Sequence, residues 1–281
     1  MNVLETLFHK PKAIIAMAHF PALPGQPLYD PRTGVGGILD FVRRDVEAIN
    51  ASGVDGILFC NENDRPYRLR AGAETVATMS RVIAELRREI DKPFGVDVLW
   101  DPLAAIAIAK ATGAKFVREV FTGAYAGDFG VWNTDPAEAL SFRQRIDAGD
   151  IKLFFNITAE FAAPISPRPI GITARGAVFS SLADAICVSG PLTGTGVDVA
   201  LLEDAKSAVG DTAVIANTGV RADTVGKILA VADGVIVGTA LKREGITWNP
   251  IDPARVAALV EAAAAAGGWQ PGRPGVGALR T

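Results

Sequence analysis

The chain has 281 residues, of which 49% are hydrophobic and 21% are charged, and its formal net charge is -3. This composition excludes a largely disordered protein, and a weakly acidic chain without a long basic run disfavours nucleic-acid binding. The mean hydropathy of +0.25 reflects alanine-rich helices, because no apolar run approaches the roughly 18 residues of a membrane-spanning helix.

The two cysteines, Cys60 and Cys187, lie far apart at the ends of apolar runs. They show no Cys-x-x-Cys or Cys/His spacing, so the sequence predicts buried free thiols in a reducing compartment rather than a zinc site or a disulfide framework. The first residues lack the apolar core of a signal peptide. We therefore expect a cytoplasmic protein without a membrane span.

Short runs rich in Val, Ile and Phe alternate with longer segments at helical spacing along almost the whole chain. The predicted strands, in chain order, are residues 13–17, 56–60, 94–99, 116–120, 151–156, 185–188, 213–216 and 234–237. The predicted helices that follow them are residues 38–51, 73–90, 103–111, 136–146, 173–182, 199–209, 222–230 and 253–266.

Eight such units with nearly continuous apolar strands predict a parallel sheet covered by helices, and its closure gives a single-domain (β/α)8 TIM barrel over residues 1–266, including a short N-terminal lead. A doubly wound sheet is disfavoured because no Gly-x-Gly-x-x-Gly follows a strand. The Gly/Pro-rich residues 267–281 lie outside the repeat. We expect them to form a mobile tail or an arm over a neighbouring subunit, and we expect the protein to be a homo-oligomer.

Polar residues at the ends of the predicted strands are the candidates for chemistry, because the loops after the strands form the active face of such a barrel. These residues are His19, Asn61, Glu62, Asp64, Asp97, Asp101, Arg118, Glu119, Asn156, Glu160, Ser189, Asn217 and Thr218. Asn156 occupies a position at which a Schiff-base aldolase needs a lysine, so imine chemistry is disfavoured.

Three carboxylates, Glu62, Asp97 and Glu119, end the second, third and fourth strands. Grouped carboxylates either bind a hard cation such as Mg²⁺ or keep one member protonated for acid/base catalysis. The alternative is a buried ion network with Arg118, Arg65 or Arg68. Arg118 and Glu119 are adjacent, so only one of them faces the lumen of a regular strand.

His19 follows the first strand and is suited either to acid/base catalysis or to holding its loop by hydrogen bonds. The predicted catalytic residues are His19, Glu62, Asp97, Glu119 and Asn156.

The loops after the last three strands are rich in glycine and hydroxyl side chains. Barrels often bind phosphate between such loops through backbone amides. The predicted phosphate-binding residues are Ser189, Gly190, Thr218, Gly219, Gly238 and Thr239. The alternative is that each glycine only permits a tight turn.

Motifs along the chain resemble the BtpA family over roughly residues 12–265, and within it the SgcQ branch. They are AHFPALPG at 18–25, GVDG at 53–56, Asn61-Glu62, Pro66-Tyr67, PFGVDVLWDP at 93–102, ATGAKFVRE at 111–119, FTGAY at 121–125, DFGVW at 128–132, CVSG at 187–190, ANTGV at 216–220 and ADG at 232–234.

The resemblance implies a barrel similar to phosphate-binding barrels. One branch is named for photosystem I biogenesis, while the SgcQ branch is associated with carbohydrate-uptake genes and sometimes with a nucleotide-hydrolase label. This chain departs from the BtpA branch at Glu119, where that branch tends to have Asn, and at Asn156, where it often has Asp. These departures disfavour the photosystem role.

The expected function is therefore that of an enzyme acting on a phosphorylated, carbohydrate-like small molecule by isomerase, epimerase or lyase chemistry. The alternatives are a non-catalytic assembly factor and a hydrolase of nucleotides or other phosphate esters.

Overall fold

The computed structural model describes residues 2–272, which form a closed parallel barrel with a small antiparallel sheet beside it. The strands are β1 (Ala13–His19), β2 (Gly56–Cys60), β3 (Phe94–Asp97), β4 (Phe116–Glu119), β5 (Ala124–Gly127), β6 (Gly130–Asn133), β7 (Lys152–Asn156), β8 (Ala162–Pro164), β9 (Ala185–Val188), β10 (Ala213–Ala216) and β11 (Gly234–Val237). The barrel has the order β1-β11-β10-β9-β7-β4-β3-β2, and β1 closes it by pairing with both β2 and β11. The predicted TIM barrel is confirmed.

Helices cover the outside of the barrel. They are α1 (Val3–Phe8), α2 (Gly34–Asn50), α3 (Ala73–Leu86), α4 (Pro102–Thr112), α5 (Pro136–Arg145), α6 (Ile170–Ser181), α7 (Val199–Val209), α8 (Val225–Val231) and α9 (Pro253–Ala266). In α4, α5 and α9 an Asp side chain caps the first turn and Pro follows it, which satisfies free backbone amides and presets the helical φ. Within residues 2–272 no helix is both long and apolar enough to cross a lipid bilayer.

The apolar core has two layers, which follow from the alternation of side chains along each strand. The luminal layer includes Leu58, Phe116 and Phe154, and the rings of Phe116 and Phe154 stack at 4.8 Å between centroids. The outer layer fills the space between strands and helices. The lumen is therefore packed at its lower end, and space for a ligand lies toward the carboxyl ends of the strands.

Two segments close the amino-terminal end of the barrel, and neither belongs to the repeat. Helix α1 lies under the lumen, where Phe8 meets Phe116 edge to face. Residues 267–272 also pack there: Trp269 is only 2% exposed, and its Nε1 donates to Asp55 Oδ2 at 2.7 Å. The described part of the predicted tail, residues 267–272, is therefore packed on the barrel rather than mobile. Burial of the large apolar indole of Trp269 stabilises this arrangement. The rest of the tail, residues 273–281, lies outside the described residues.

The antiparallel sheet, ordered β6-β5-β8, was not predicted. Its strands come from the loops after β4 and β7, so it stands over the carboxyl-terminal mouth of the barrel. Trp132 of β6 stacks on Tyr125 of β5 with 4.6 Å between ring centroids and contacts Trp100. Trp100, Tyr125 and Trp132 thereby form an aromatic surface on the β2–β4 side of the mouth, here called the aromatic wall.

Candidate active site

The loops after the barrel strands enclose a cavity of about 420 Å³, here called the main cavity. Its lining residues are Met17, His19, Glu62, Leu99, Trp100, Arg118, Glu160, Phe161, Thr193, Gly194, Asn217, Thr218, Gly219, Val220, Arg221, Ala222, Asp223, Gly238, Thr239, Ala240, Gly245, Arg255, Ala258 and Leu259. They include two buried carboxyl side chains, Glu62 and Glu160, the aromatic rings of Trp100 and Phe161, and glycines and threonines of the loops after β9, β10 and β11. No lysine is among the described residues that line it.

A buried network around Arg118 forms the floor of the main cavity. The Arg118 guanidinium donates to Asp97 Oδ2 at 2.9 Å, to Glu160 Oε1 at 3.0 Å and to Asn217 Oδ1 at 3.0 Å. Asn156 Nδ2 donates to the other Glu160 oxygen at 2.9 Å. Because these side chains are at most 4% exposed, the bonds are charge-assisted in a water-poor environment and hold the network rigid.

Glu62 lines the main cavity, as Glu160 and Asp223 also do. It is 5% exposed. Its Oε1 accepts from Thr193 Oγ1 at 3.1 Å and from the Tyr67 hydroxyl at 3.4 Å. Burial, followed by the negative charge of Asp97, raises its pKa from 4.5 to about 7. A carboxyl group with this pKa exchanges protons readily at neutral pH, which is what acid/base catalysis requires.

His19 is buried at the border between the main cavity and the loop after β11. Its Nδ1 lies 3.3 Å from the carbonyl oxygen of Thr247. Burial, together with the positive charges of Lys242 and Arg118, lowers its pKa to about 3. The imidazole is therefore neutral at physiological pH, and it is too weak a base to take a proton from carbon.

Lys242 was missed as a candidate because it follows a 3₁₀ turn (Thr239–Leu241) rather than a strand. It is fully buried, and its Nζ donates to Asp45 Oδ2 at 2.6 Å. Asp45 Oδ1 also accepts from the Ile251 amide at 2.7 Å. This ion pair ties the loop after β11 to α2, so Lys242 is a positioning residue beside His19.

Three of the predicted catalytic residues do not line the main cavity, contrary to expectation. They are Asp97, Glu119 and Asn156. Side-chain alternation on β4 turns Arg118 inward, and the adjacent Glu119 does not reach the cavity. Glu119 is fully buried, and its Oε2 accepts from the Val120 amide at 2.8 Å. Burial and the neighbouring Asp97 raise the pKa of Glu119 well above its usual value.

Magnesium binding by Glu62, Asp97 and Glu119 together was one of the two roles that the sequence left open for these carboxylates. Among residues 2–272 no group of three acidic, histidine or cysteine side chains is arranged to hold a metal ion. Asp97 is instead paired with Arg118. The three side chains thus do not form a shared ligand set.

The loops on the β9–β11 side place four of the six predicted phosphate-binding residues at the main cavity: Thr218, Gly219, Gly238 and Thr239. Ser189 and Gly190 lie outside its lining. The Gly190 amide donates to Thr218 Oγ1 at 2.5 Å. A Cβ on Gly190 would lie 2.3 Å from the Thr195 carbonyl oxygen, so this glycine serves the close packing of loops.

Two arginines near these loops were not predicted, because neither follows a strand directly. Arg221 and Arg255 both line the main cavity. Arg221 is paired with Asp223 at 3.0 Å, and Arg255 Nη1 donates to the Ala240 carbonyl at 3.3 Å. Arg255 adds positive charge next to Ala240 and Gly245, whereas Asp223 offsets the charge of Arg221.

Other strand-end candidates serve the structure. Asn61 accepts from the Leu99 amide at 2.8 Å and donates to Asp64 at 3.1 Å. Asp64 in turn accepts from the Leu23 amide at 2.8 Å. Asp101 caps α4. These residues fix the loops after β1, β2 and β3, which carry His19, Glu62 and the aromatic wall.

The fold is shared with solved structures of low sequence identity. Thiamine phosphate pyrophosphorylase from Pyrococcus furiosus superposes with a TM-score of 0.57 at 15% identity, covering 92% of this chain and 98% of that one. For (S)-3-O-geranylgeranylglyceryl phosphate synthase from Thermoplasma acidophilum the TM-score is 0.57 at 16% identity, covering 93% and 98%. For N-(5'-phosphoribosyl)anthranilate isomerase from Pyrococcus furiosus it is 0.53 at 14% identity, covering 90% and 99%.

Sequence comparison gives the family. The protein described as "Putative sgc region protein SgcQ" from Escherichia coli strain K12 is 45% identical over 93% of this chain and 97% of its own length. Photosystem I biogenesis protein BtpA from Synechocystis is 31% identical over 94% of this chain and 92% of its own length. A sequence model of the BtpA family matches residues 10–265. Since this match spans nearly the whole barrel, the chain belongs to the BtpA family.

Proposed function

We propose that the protein is an enzyme that moves a proton on a phosphorylated, carbohydrate-like small molecule. The observation that carries the proposal is Glu62, a buried carboxyl group in the main cavity with a pKa of about 7. The glycine and threonine loops after β9, β10 and β11, together with Arg221 and Arg255, line the same cavity and suit a phosphate group. Solved neighbours of the same fold carry phosphate compounds in their names, which is consistent with this placement.

Glu62 supplies the chemistry in this proposal. Its carboxylate takes a proton from a carbon next to a carbonyl group, and the electron pair of that C–H bond forms an enediolate. The protonated Glu62 then returns the proton to the neighbouring carbon while the hydroxyl proton moves between the two oxygens of the enediolate, which gives isomerisation. Return of the proton to the same carbon from the same side regenerates the substrate, with its hydrogen exchanged whenever Glu62 has exchanged its own proton with solvent. Tyr67 and Thr193 hold the carboxyl group in place through Oε1, and the Arg118 network below keeps its surroundings fixed.

Deuterium exchange tests this function on a mixture of candidate substrates. The protein is incubated in D₂O with ketose and aldose phosphates, and mass spectrometry detects deuterium in carbon-bound positions. We expect exchange with the wild type and a loss of at least about 100-fold in Glu62→Gln, the range that acid/base groups contribute. The matched control is Glu203→Gln, which changes an exposed glutamate on α7.

Exchange that persists in Glu62→Gln would remove this residue from the mechanism. If no phosphate compound binds or exchanges, the enzyme proposal fails and a non-catalytic assembly role gains support. Phosphate release from nucleotides or other esters without carbon exchange would favour a hydrolase.

A further inference from the structure

Two side chains that line the main cavity each carry a buried polar atom with no hydrogen-bond partner among residues 2–272, and the chemistry of the two atoms is complementary. One is Nε2 of His19 and the other is Nε1 of Trp100. Both side chains line the cavity and are at most 4% exposed. Buried polar atoms are rarely left without partners in a native structure, so a ligand that supplies partners for both would remove a real cost.

His19 presents an acceptor. The Thr247 carbonyl oxygen beside Nδ1 can only accept a hydrogen bond, so the proton of the neutral ring lies on Nδ1. Nε2 then carries a lone pair. A Cβ on Gly238 would lie 3.1 Å from this nitrogen, which places Nε2 against the backbone of the loop after β11. The acceptor is therefore next to the loop assigned to phosphate.

Trp100 presents a donor, because an indole N–H can only donate. It lies on the aromatic wall, where it contacts Tyr67 and Phe129 with ring centroids 6.4 Å and 5.9 Å away. These contacts fix the ring from the side of the barrel mouth. Leu99 and Phe161 also line the main cavity and offer it apolar side chains.

We infer that the main cavity recognises a polyhydroxylated carbon chain attached to phosphate: a substrate hydroxyl donates to Nε2 of His19, and a substrate oxygen accepts from Nε1 of Trp100. This inference rests on the proposed function and narrows its substrate class. A phosphate ester with an apolar chain would leave both atoms unpaired. The resulting loss of binding free energy makes the main cavity selective for hydroxylated chains.

The test compares glycerol phosphate with propyl phosphate, which carries the phosphate and the carbon chain without the hydroxyls, and with inorganic phosphate. Titration calorimetry on the wild type is expected to show glycerol phosphate binding about tenfold or more tightly than propyl phosphate. Trp100→Phe keeps an aromatic ring and removes the N–H. It should weaken glycerol phosphate by about two- to tenfold, the range of one neutral hydrogen bond, and leave propyl phosphate unchanged.

Trp132→Phe is the matched control, because its indole N–H is equally buried and unpartnered but does not line the main cavity. It should leave the selectivity unchanged. His19→Phe removes the acceptor and should reduce the selectivity as Trp100→Phe does, with a circular dichroism spectrum confirming the fold.

Equal binding of the two esters by the wild type, or a selectivity that Trp100→Phe leaves intact, overturns the inference while the phosphate site stands. If inorganic phosphate and both esters fail to bind, the phosphate site and this inference fall together.

Discussion

The titration of Glu62 makes the stability of the protein depend on pH. Its folded-state pKa of about 7 lies above the unfolded value of 4.5, so the folded state binds more protons than the unfolded state between these pH values. The free energy of unfolding therefore falls as pH rises through this window, and the full penalty of roughly 3 kcal/mol is present above it. Glu62→Gln should raise Tm at pH 8 and change it little at pH 4.

Thermal unfolding at the two pH values checks this, with Glu203→Gln as the exposed control. The histidine acts in the opposite sense: the pKa of His19 falls from 6.5 to about 3 in the folded state. The unfolded state therefore binds more protons at His19, and the free energy of unfolding falls as pH drops below 6.5. For this reason Glu62→Gln is compared with the wild type at each pH separately. An equal gain in Tm at both pH values would contradict the assignment.

Arg118 matters for stability because it neutralises buried carboxylates. Replacing it with Met would leave Asp97 and Glu160 without their cation, and breaking a buried pair in this way costs about 3–5 kcal/mol. Denaturant unfolding of Arg118→Met measures the loss. Arg221→Met breaks an exposed pair with Asp223 instead and should cost less than about 1 kcal/mol. Similar losses in the two variants would show that the network is not buried as described.

Sequence reasoning at the residue scale worked where strand alternation applies and failed where loops decide. Glu62 was a candidate because it ends the second strand, and in the structure it lines the main cavity and continues the inward series of Leu58 and Cys60 on β2. The same alternation requires that one of Arg118 and Glu119 faces the lumen, but only the register of β4 in the barrel shows that it is Arg118. Trp100 and Lys242 follow no period, since they reach the site through irregular loops, and no pattern in one sequence identifies them.

At the scale of elements, Gly219 shows why the loops after β9 and β10 must meet closely. Its φ is +63°, and a Cβ there would lie 2.2 Å from the Gly196 nitrogen. Gly219→Ala should therefore destabilise the protein by about 1–3 kcal/mol and weaken phosphate binding.

Gly176→Ala is the matched control, because Gly176 lies in α6 with open space around its Cβ position. It should stabilise the helix by about 0.5–1 kcal/mol. Denaturant titration and phosphate calorimetry on both variants give the comparison. Normal phosphate binding by Gly219→Ala would show that the loop contact does not shape the anion site.

Element boundaries were predicted well where the composition changes sharply. Helices α7 and α9 match their predicted bounds, and α9 begins at a capping Asp252 followed by Pro. Helix α1 and the antiparallel sheet were missed, because a six-residue helix and strands of three or four residues are too short to show a period. Their formation depends on tertiary contacts with the barrel.

For the whole molecule, the eightfold repeat fixed the architecture, but it gave no sign of how the lower end of the barrel closes. Asp55 joins the pieces there. It accepts from the Ile14 amide at 2.8 Å and from Trp269 Nε1 at 2.7 Å, and it pairs with Lys10 at 2.6 Å. One carboxylate thus links β1, the segment after α1 and the segment after α9, so the two chain ends stabilise the barrel together.

Because Trp269 helps to close the lower end of the barrel, substitutions at this position should lower the free energy of unfolding more as they remove more of its contacts. Trp269→Ala removes a buried indole and should lower the free energy of unfolding by about 3–5 kcal/mol, while Trp269→Phe keeps most of the apolar contact, loses the bond to Asp55 and should cost about 1–2 kcal/mol. Phe179→Ala removes a ring that is 84% exposed on α6 and should cost less than about 0.5 kcal/mol. Urea unfolding measures all three. Because Trp269 lies at the end of the barrel opposite the main cavity, phosphate binding at 25 °C should survive in Trp269→Phe. If all three variants are equally stable, residues 267–272 do not close the barrel.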